Sequence, residues 1–293
     1  MSSQNKANTI LLFCCCFNYI PVYHIITLDN MNITGLLTKM HTENYSPVQY
    51  YLNFNEETIP VNQLLEKKIK IRFNHYQCLA CAREKEIFAM GYCKNCYFTS
   101  PYAGQWIIRP ELSTAHLGKA DRNLEVEAEA QLQPHIVYLA NSGGIKVGVT
   151  RKSQLPTRWI DQGAEYAIKL AETTNRYEAG LIEVALKLHM ADKTNYRKML
   201  KEDAPFEDLT DKKNNILEFI PTELQQYILE DSQILQLKYP VHKYPLKINT
   251  VNLKKIKEFE GTLTGIKGQY LMFDNNMVFN VRSHEGFVID LEF

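Results

Sequence analysis

Apolar and polar residues alternate in short runs at both ends of the chain. Residues 35–73 and 261–293 each read as three or four short strands. The two ends also repeat one another. Gly35-Leu36-Leu37-Thr38 recurs as Gly261-Thr262-Leu263-Thr264, and Gln49 to Phe54 recurs as Gln269 to Phe273. Ile69 to Phe73 recurs as Val288 to Phe293. Asp274 to Asn276 supplies turn chemistry, and His284-Glu285 reads as turn polarity. A small sheet with one apolar face needs cover. The expected arrangement packs the two ends together as one β-sandwich or barrel and brings the termini close.

The middle of the chain has a different rhythm. Pro134 to Ala140 is a strand, Asn141-Ser142-Gly143-Gly144 a hairpin turn, and Ile145 to Thr150 the return strand. Leu155 to Gln162 reads as a short helix with Pro156 at its start. Ala167 to Thr173 is a third strand. Tyr177 to Met190 is a helix, apolar around most of its circumference and so expected to be buried on several sides. Glu111 to Gln131 reads as a linking helix in which Ser113 to His116 border the site, and a further helix follows Pro221 with Thr222 as its cap. The fold class expected is α+β, with β-rich end segments packed together, a cysteine-bearing ribbon and a small central α/β unit. The segments fall at 1–30, 31–76, 77–100 (the ribbon), 101–134, 135–202 (the α/β unit), 203–245 and 246–293.

Composition narrows the class. The 293 residues carry 33 Lys+Arg and 33 Asp+Glu, a formal charge of zero. A uniformly basic histone-like binder and an acidic tail protein are excluded, whereas a local basic patch is not. From Tyr138 to Leu200, ten basic residues face six acidic ones, a local net of +4. The apolar run Ile10 to Phe17 has eight residues, short of the about 20 a membrane helix needs. No small-residue cleavage site follows it. Met31 is the preferred natural start, with residues 1–30 as an upstream extension, and a loosely packed arm is the alternative. No other export or membrane signal appears, so a cytoplasmic protein with no membrane partner is expected.

Three of the seven cysteines, Cys14, Cys15 and Cys16, lie in that run. The other four, Cys78, Cys81, Cys93 and Cys96, form two C-x2-C pairs separated by eleven residues. Two tight turns then supply four thiolates, the tetrahedral set Zn2+ takes. The intervening EIFAMGY fits a hairpin, and Ala82 stands where such turns often carry glycine. Four reduced thiols or two disulfides are the alternatives, and a reducing compartment argues against disulfides. With every position filled by sulfur, the metal would be structural.

Several central motifs together resemble the GIY-YIG endonuclease superfamily, in the branch whose second motif reads K-[IV]-G-x-T. Ile136-Val137-Tyr138 matches the first strand, and Lys146-Val147-Gly148-Val149-Thr150 the second. Arg158 matches the arginine of the following helix, Ala179 to Glu183 the helix with the metal-binding glutamate, and Lys193-Thr194-Asn195 a late K-x-x-N element. From Met31 on, the chain also resembles an uncharacterised bacterial family joining a four-cysteine zinc ribbon to this unit. The superfamily resemblance implies metal-assisted phosphodiester hydrolysis of DNA or RNA. Glu183 would hold Mg2+ or Mn2+, Tyr138 would activate water, Arg158 would bind the phosphate and Asn195 would support the site. Two departures stand out: Lys146 replaces the second tyrosine, and no histidine follows Arg158. Each residue also has a structural reading: Tyr138 as a core aromatic, Glu183 and Lys187 as an i,i+4 ion pair, Arg158 stacked on a ring, and Gly148 needed only for close packing. Three functions remain open at this level: a divergent nuclease, a non-catalytic nucleic-acid binder, and a protein-interaction scaffold.

Overall fold

The computed structural model describes residues 31–54, 57–190, 195–231 and 233–293. The extension 1–30 with its apolar run and three cysteines, and Lys193 and Thr194 of the late motif, lie outside the described residues. Mixed α+β structure is observed, in several separate sheets with no closed barrel.

Strands from both ends join in one seven-stranded sheet, while His41–Glu43, Gln49–Phe54 and Glu57–Pro60 form a separate three-stranded one. The order of the larger sheet is Asn32–Leu36, Phe287–Glu292, Lys68–Tyr76, Glu258–Lys267, Tyr270–Phe273, Met277–Asn280 and Asn249–Thr250. The expected closeness of the termini is literal, since Asn32 pairs with Glu292 in the ladder. The barrel option is corrected, because the outer strands Asn32–Leu36 and Asn249–Thr250 do not meet. The repeat has a structural counterpart in strand exchange. The first strand of each copy pairs with the last strand of the other: Gly35 lies opposite Ile289, and Gly261 opposite Ile69. Between them Ile71 faces Leu291, flanked by Lys70 opposite Glu292 and Arg72 opposite Asp290. The register is therefore a pseudo-twofold centred on Ile71 and Leu291, which aligns IKIRF with IDLEF. Opposite charges face each other on both sides of that centre, and Arg72 Nη2 reaches Asp290 Oδ2 at 3.0 Å. Gly35 is required where it stands, since a Cβ there would lie 2.0 Å from the Phe54 ring.

The central unit is a four-stranded sheet ordered Leu235–Gln236, Tyr166–Thr173, His135–Asn141, Ile145–Arg151. The strand His135–Asn141 is buried throughout and splits its side chains by the period of two. Ile136, Tyr138 and Ala140 enter the large core shared with the end segments, together with Cys78, Cys93 and Trp159. Val137 and Leu139 enter a second core under the helix Arg176–Lys187. One strand thus ties the central unit to the end sheet on one face and to its own helices on the other.

Three expected helices change. Arg176–Lys187 buries one stripe, Ala179, Gly180, Ile182, Glu183 and Leu186, while Val184 and Leu188 are exposed. It is amphipathic rather than apolar all round, starts at a cap where Asn175 accepts from Glu178 N, and ends before Met190. Within 111–131 only Leu124–Gln131 is α-helical, because the Glu127 carboxylate folds back to accept N–H bonds from Asp121, Arg122 and Asn123. After Pro221 the chain makes a short 3-10 helix, Thr222–Tyr227, without a side-chain cap at its start. It then extends: Leu229 N donates to Leu170 O, Ile228 bridges Ala171, and Leu235–Gln236 becomes an edge strand. The open edge of Tyr166–Thr173 offers unpaired backbone groups, and satisfying them outweighs the local helical pattern. His284 is likewise a pin rather than turn polarity. It is buried, and its Nε2 accepts from Leu253 N at 3.2 Å.

Candidate functional site

The four ribbon cysteines converge. The expected hairpin is present as Ile87–Ala89 and Tyr92–Cys93, followed by the short helix Lys94–Thr99. The four sulfurs lie within 4.8 Å of one another and form no disulfide. A tetrahedral zinc with bonds of about 2.3 Å needs sulfur–sulfur edges of about 3.8 Å, so the set is compatible with a structural zinc site. Ala82 adopts φ +55°, the left-handed value glycine usually supplies at that point of the turn. Burial pushes the Cys78 thiol up, but N–H groups of Cys93, Cys81 and Ala80 aimed at its sulfur bring it down to about 6. Burial and the neighbouring thiols push Cys96 up to about 12. Four thiolates so close repel one another, and a divalent cation removes that repulsion.

A cavity of about 800 Å3 opens beside the central sheet, and Tyr138, Lys146, Arg158 and Glu183 all line it. The strand pairing sets Tyr138 opposite Gly148, and a Cβ at 148 would stand 2.7 Å from the phenol oxygen. The glycine therefore makes room for the hydroxyl, which donates to Gln162 Oε1 at 3.0 Å. The Tyr138 ring packs edge-on against Trp159 at 5.8 Å. Seven basic residues line the cavity, Lys39, Lys146, Arg151, Arg158, Arg176, Lys187 and Arg282, against the acids Asp161 and Glu183, a net of +5. Asn195 is not part of the lining. Its side chain caps the helix Tyr196–Met199 by accepting from Lys198 N at 3.2 Å, and its carbonyl lies behind Gly143 of the hairpin turn. Ser113 to His116 also stand outside the lining, and His116 stacks on Tyr177.

Glu183 is buried. Lys187 Nζ lies 3.3 Å from its Oε2, so the i,i+4 pair exists, yet Oε2 accepts no aligned hydrogen bond. Burial raises the Glu183 carboxyl above its usual range, opposed by Lys187 and Arg176 and helped by Glu111. Burial also raises the Tyr138 phenol, against the pull of Arg158. The phenol is thus protonated at neutral pH and acts as a donor.

Several lining residues carried no signal in the sequence. Arg176 is the clearest. Its guanidinium donates to Trp106 O and Ile107 O and lies over the Trp106 ring, partners some 70 residues away. Burial lowers it to about 10, still charged at pH 7. Gly180 lets the turn Pro110–Leu112 press onto the helix, where a Cβ would lie 2.3 Å from Glu111 N. Lys39 and Arg282 come from the two end segments, and Lys39 Nζ reaches Asp161 at 2.9 Å.

His135, the first residue of its strand, has 0% of its surface exposed. Its Nδ1 donates to Gln133 O at 2.7 Å and its Nε2 has no partner. Burial, with Arg176 and Arg151 nearby, holds the imidazole down to about 4 against the Gln133 carbonyl. In the unfolded chain it titrates near 6.5. Unfolding therefore takes up a proton between these values, and stability that is complete above about pH 6.5 drains away as pH falls towards 4. The expected loss between pH 7 and pH 5 is about 2 kcal/mol. Urea midpoints of wild type and His135→Gln check it. Equal losses in the two proteins would refute the assignment.

The fold and the site define a mixed α+β protein that sets a four-cysteine cluster beside a basic cleft. The chain belongs to the DUF2797 family, described as a protein of unknown function, whose profile matches residues 66–289. That span holds the four cysteines, the central unit and all the basic lining residues except Lys39. No curated protein and no solved structure matches the chain.

Proposed function

We propose that this protein is nucleic-acid-directed. Its basic cleft receives a phosphodiester of DNA or RNA, and the four cysteines hold one structural Zn2+ in a reducing, cytoplasmic setting. The observation that carries the reading is the convergence of Tyr138, Lys146, Arg158 and Glu183, drawn from two strands and two helices, on one cavity of net charge +5. A divergent GIY-YIG-like unit would bring these four together, whereas Asn195, the fifth member expected, stands apart. A backbone of phosphates is attracted to such a concave basic surface, with affinity that falls steeply as salt rises.

Hydrolysis follows if a divalent cation joins the site. The buried Glu183 Oε2, which accepts no aligned hydrogen bond, is the hard oxygen donor that Mg2+ or Mn2+ takes. The bound ion would polarise a phosphoryl oxygen and its own water. Arg158 offsets charge growing on the phosphoryl oxygens. The Tyr138 hydroxyl, fixed by Gln162, orients the attacking water as a hydrogen-bonding group. Lys146, which lines the same cavity, grips a phosphate. Asn195 has no part in this chemistry and only steadies the turn behind the hairpin.

A non-catalytic binder is the second reading. It is favoured by Lys187, which already stands at the carboxylate a metal would need. The experiment is a Mg2+ and Mn2+ titration with labelled DNA and RNA, on wild type and Glu183→Ala. Cleavage by wild type and binding without cleavage by the variant is the expected result. Salt-sensitive binding by both without cleavage assigns the binder. No binding by wild type at any salt sinks the reading and leaves a protein-interaction scaffold.

A further inference from the structure

We infer that the zinc ribbon carries a base-stacking platform for a single-stranded polynucleotide at the mouth of the basic cleft. The inference rests on the nucleic-acid reading and names the form of substrate. Phe88, on the ribbon hairpin, is 52% exposed, and Phe98, on the following helix, is 56% exposed. With Tyr97 they form an aromatic cluster: ring centroids are 5.1 Å apart for Phe88 and Tyr97, 5.6 Å for Phe88 and Phe98, and 5.2 Å for Tyr97 and Phe98. Rings this large are normally buried, and a contiguous exposed group of them marks a binding surface.

The platform is joined to the cleft and held stiff. Met90 follows Phe88 by two residues, Tyr102 follows Phe98 by four, and both Met90 and Tyr102 line the cavity. Cys93 and Cys96 bracket the start of the helix bearing Tyr97 and Phe98. At its far end, Arg122 Nη1 donates to Tyr97 O at 2.8 Å and Ser100 O at 2.5 Å. Rigid aromatic faces beside a groove of net +5 are the two parts a single strand uses: bases stack on the rings while phosphates follow the charge. A duplex keeps its base faces stacked within itself and cannot use the rings, so the combination selects unpaired strand. An aliphatic peptide would answer the rings but not the positive charge next to them, and an acidic peptide would answer the charge but bring no planar face to stack.

The experiment measures binding of a labelled oligodeoxythymidylate of about 15 nucleotides and of a duplex of the same length. Wild type, Phe88→Ala/Phe98→Ala and the control Phe206→Ala, an exposed aromatic on a different segment, are compared. Both rings are half in solvent, so the double variant keeps its fold, and an unchanged zinc content verifies this. The expected result is a single-strand preference in wild type, lost through at least about a 5-fold weakening for the single strand in the double variant, with duplex binding and the control unchanged. Single-strand binding unaltered by the double substitution overturns the inference, leaves the cleft reading intact and assigns the rings to a protein partner. Absence of binding to either probe by wild type overturns both.

Discussion

A Cys93→Ala chain is expected to purify without zinc and to melt well below wild type, with its ribbon unfolded. The effect should be the largest of any single substitution here. A structural zinc supplies on the order of 10 kcal/mol to the segment it organises, and removal of one thiolate from four breaks the tetrahedral set. The damage is not confined to the ribbon. Cys78 and Cys93 are 1% and 3% exposed and sit in the same apolar core as Ile87, Phe287 and Tyr138. Cys93 N also donates to the Cys78 sulfur at 3.3 Å, so the two turns brace each other through the ligands themselves. Elemental analysis of protein purified without chelator should give one zinc per wild-type chain and none in the variant, alongside calorimetric melting. Wild type with no zinc, or a variant that melts with it, would remove the metal from the account.

Lys267→Met is expected to cost about 3–5 kcal/mol, because it strands a buried carboxylate. Lys267 comes from the end sheet and is almost fully enclosed, as is Glu165 of the central unit, with which it pairs directly. Tyr244 OH stands 3.2 Å from the same ammonium, and the Tyr239 and Tyr244 rings lie beneath it. The second Glu165 oxygen accepts from Ala204 N at 2.8 Å. This network crosses from one sheet to the other, so its loss should loosen the packing of the end sheet on the central unit. The double substitution Lys267→Met/Glu165→Leu removes both charges and should recover more than half of the loss, since an apolar pair of similar volume often equals a buried ion pair. Urea midpoints decide it. A single variant as stable as wild type would show that water, not Lys267, satisfies Glu165.

Much of the candidate site was legible because its signals are local. The cysteine spacing encodes four ligands in two turns, and the structure gathers them. The hairpin Pro134 to Thr150 is an alternating pattern around a glycine turn, and it forms as expected, with Gly143 at φ +78°. The i,i+4 spacing of Glu183 and Lys187 gave their ion pair. Asn195 misled because an asparagine just before a helix also reads as its cap, and capping is what its side chain does. The helix expected after Pro221 misled for a different reason. Its local pattern was helical, but the neighbouring sheet edge competed for the same backbone groups.

From the sequence alone came the fold class, the four-cysteine set, the hairpin and the fact that the two ends resemble each other. All of these follow from residue type and short spacing, which fix turn chemistry and which face of a strand is apolar. Tertiary structure alone decided that the two copies exchange strands around Ile71 and Leu291, because alternation states which face is buried and not which strand lies alongside. It alone also brought Lys39, Arg176 and Arg282 to the rim of one cleft with Tyr138 and Glu183. Charges so far apart in the chain acquire a common field only when the packing of the end segments on the central unit places them around the same space.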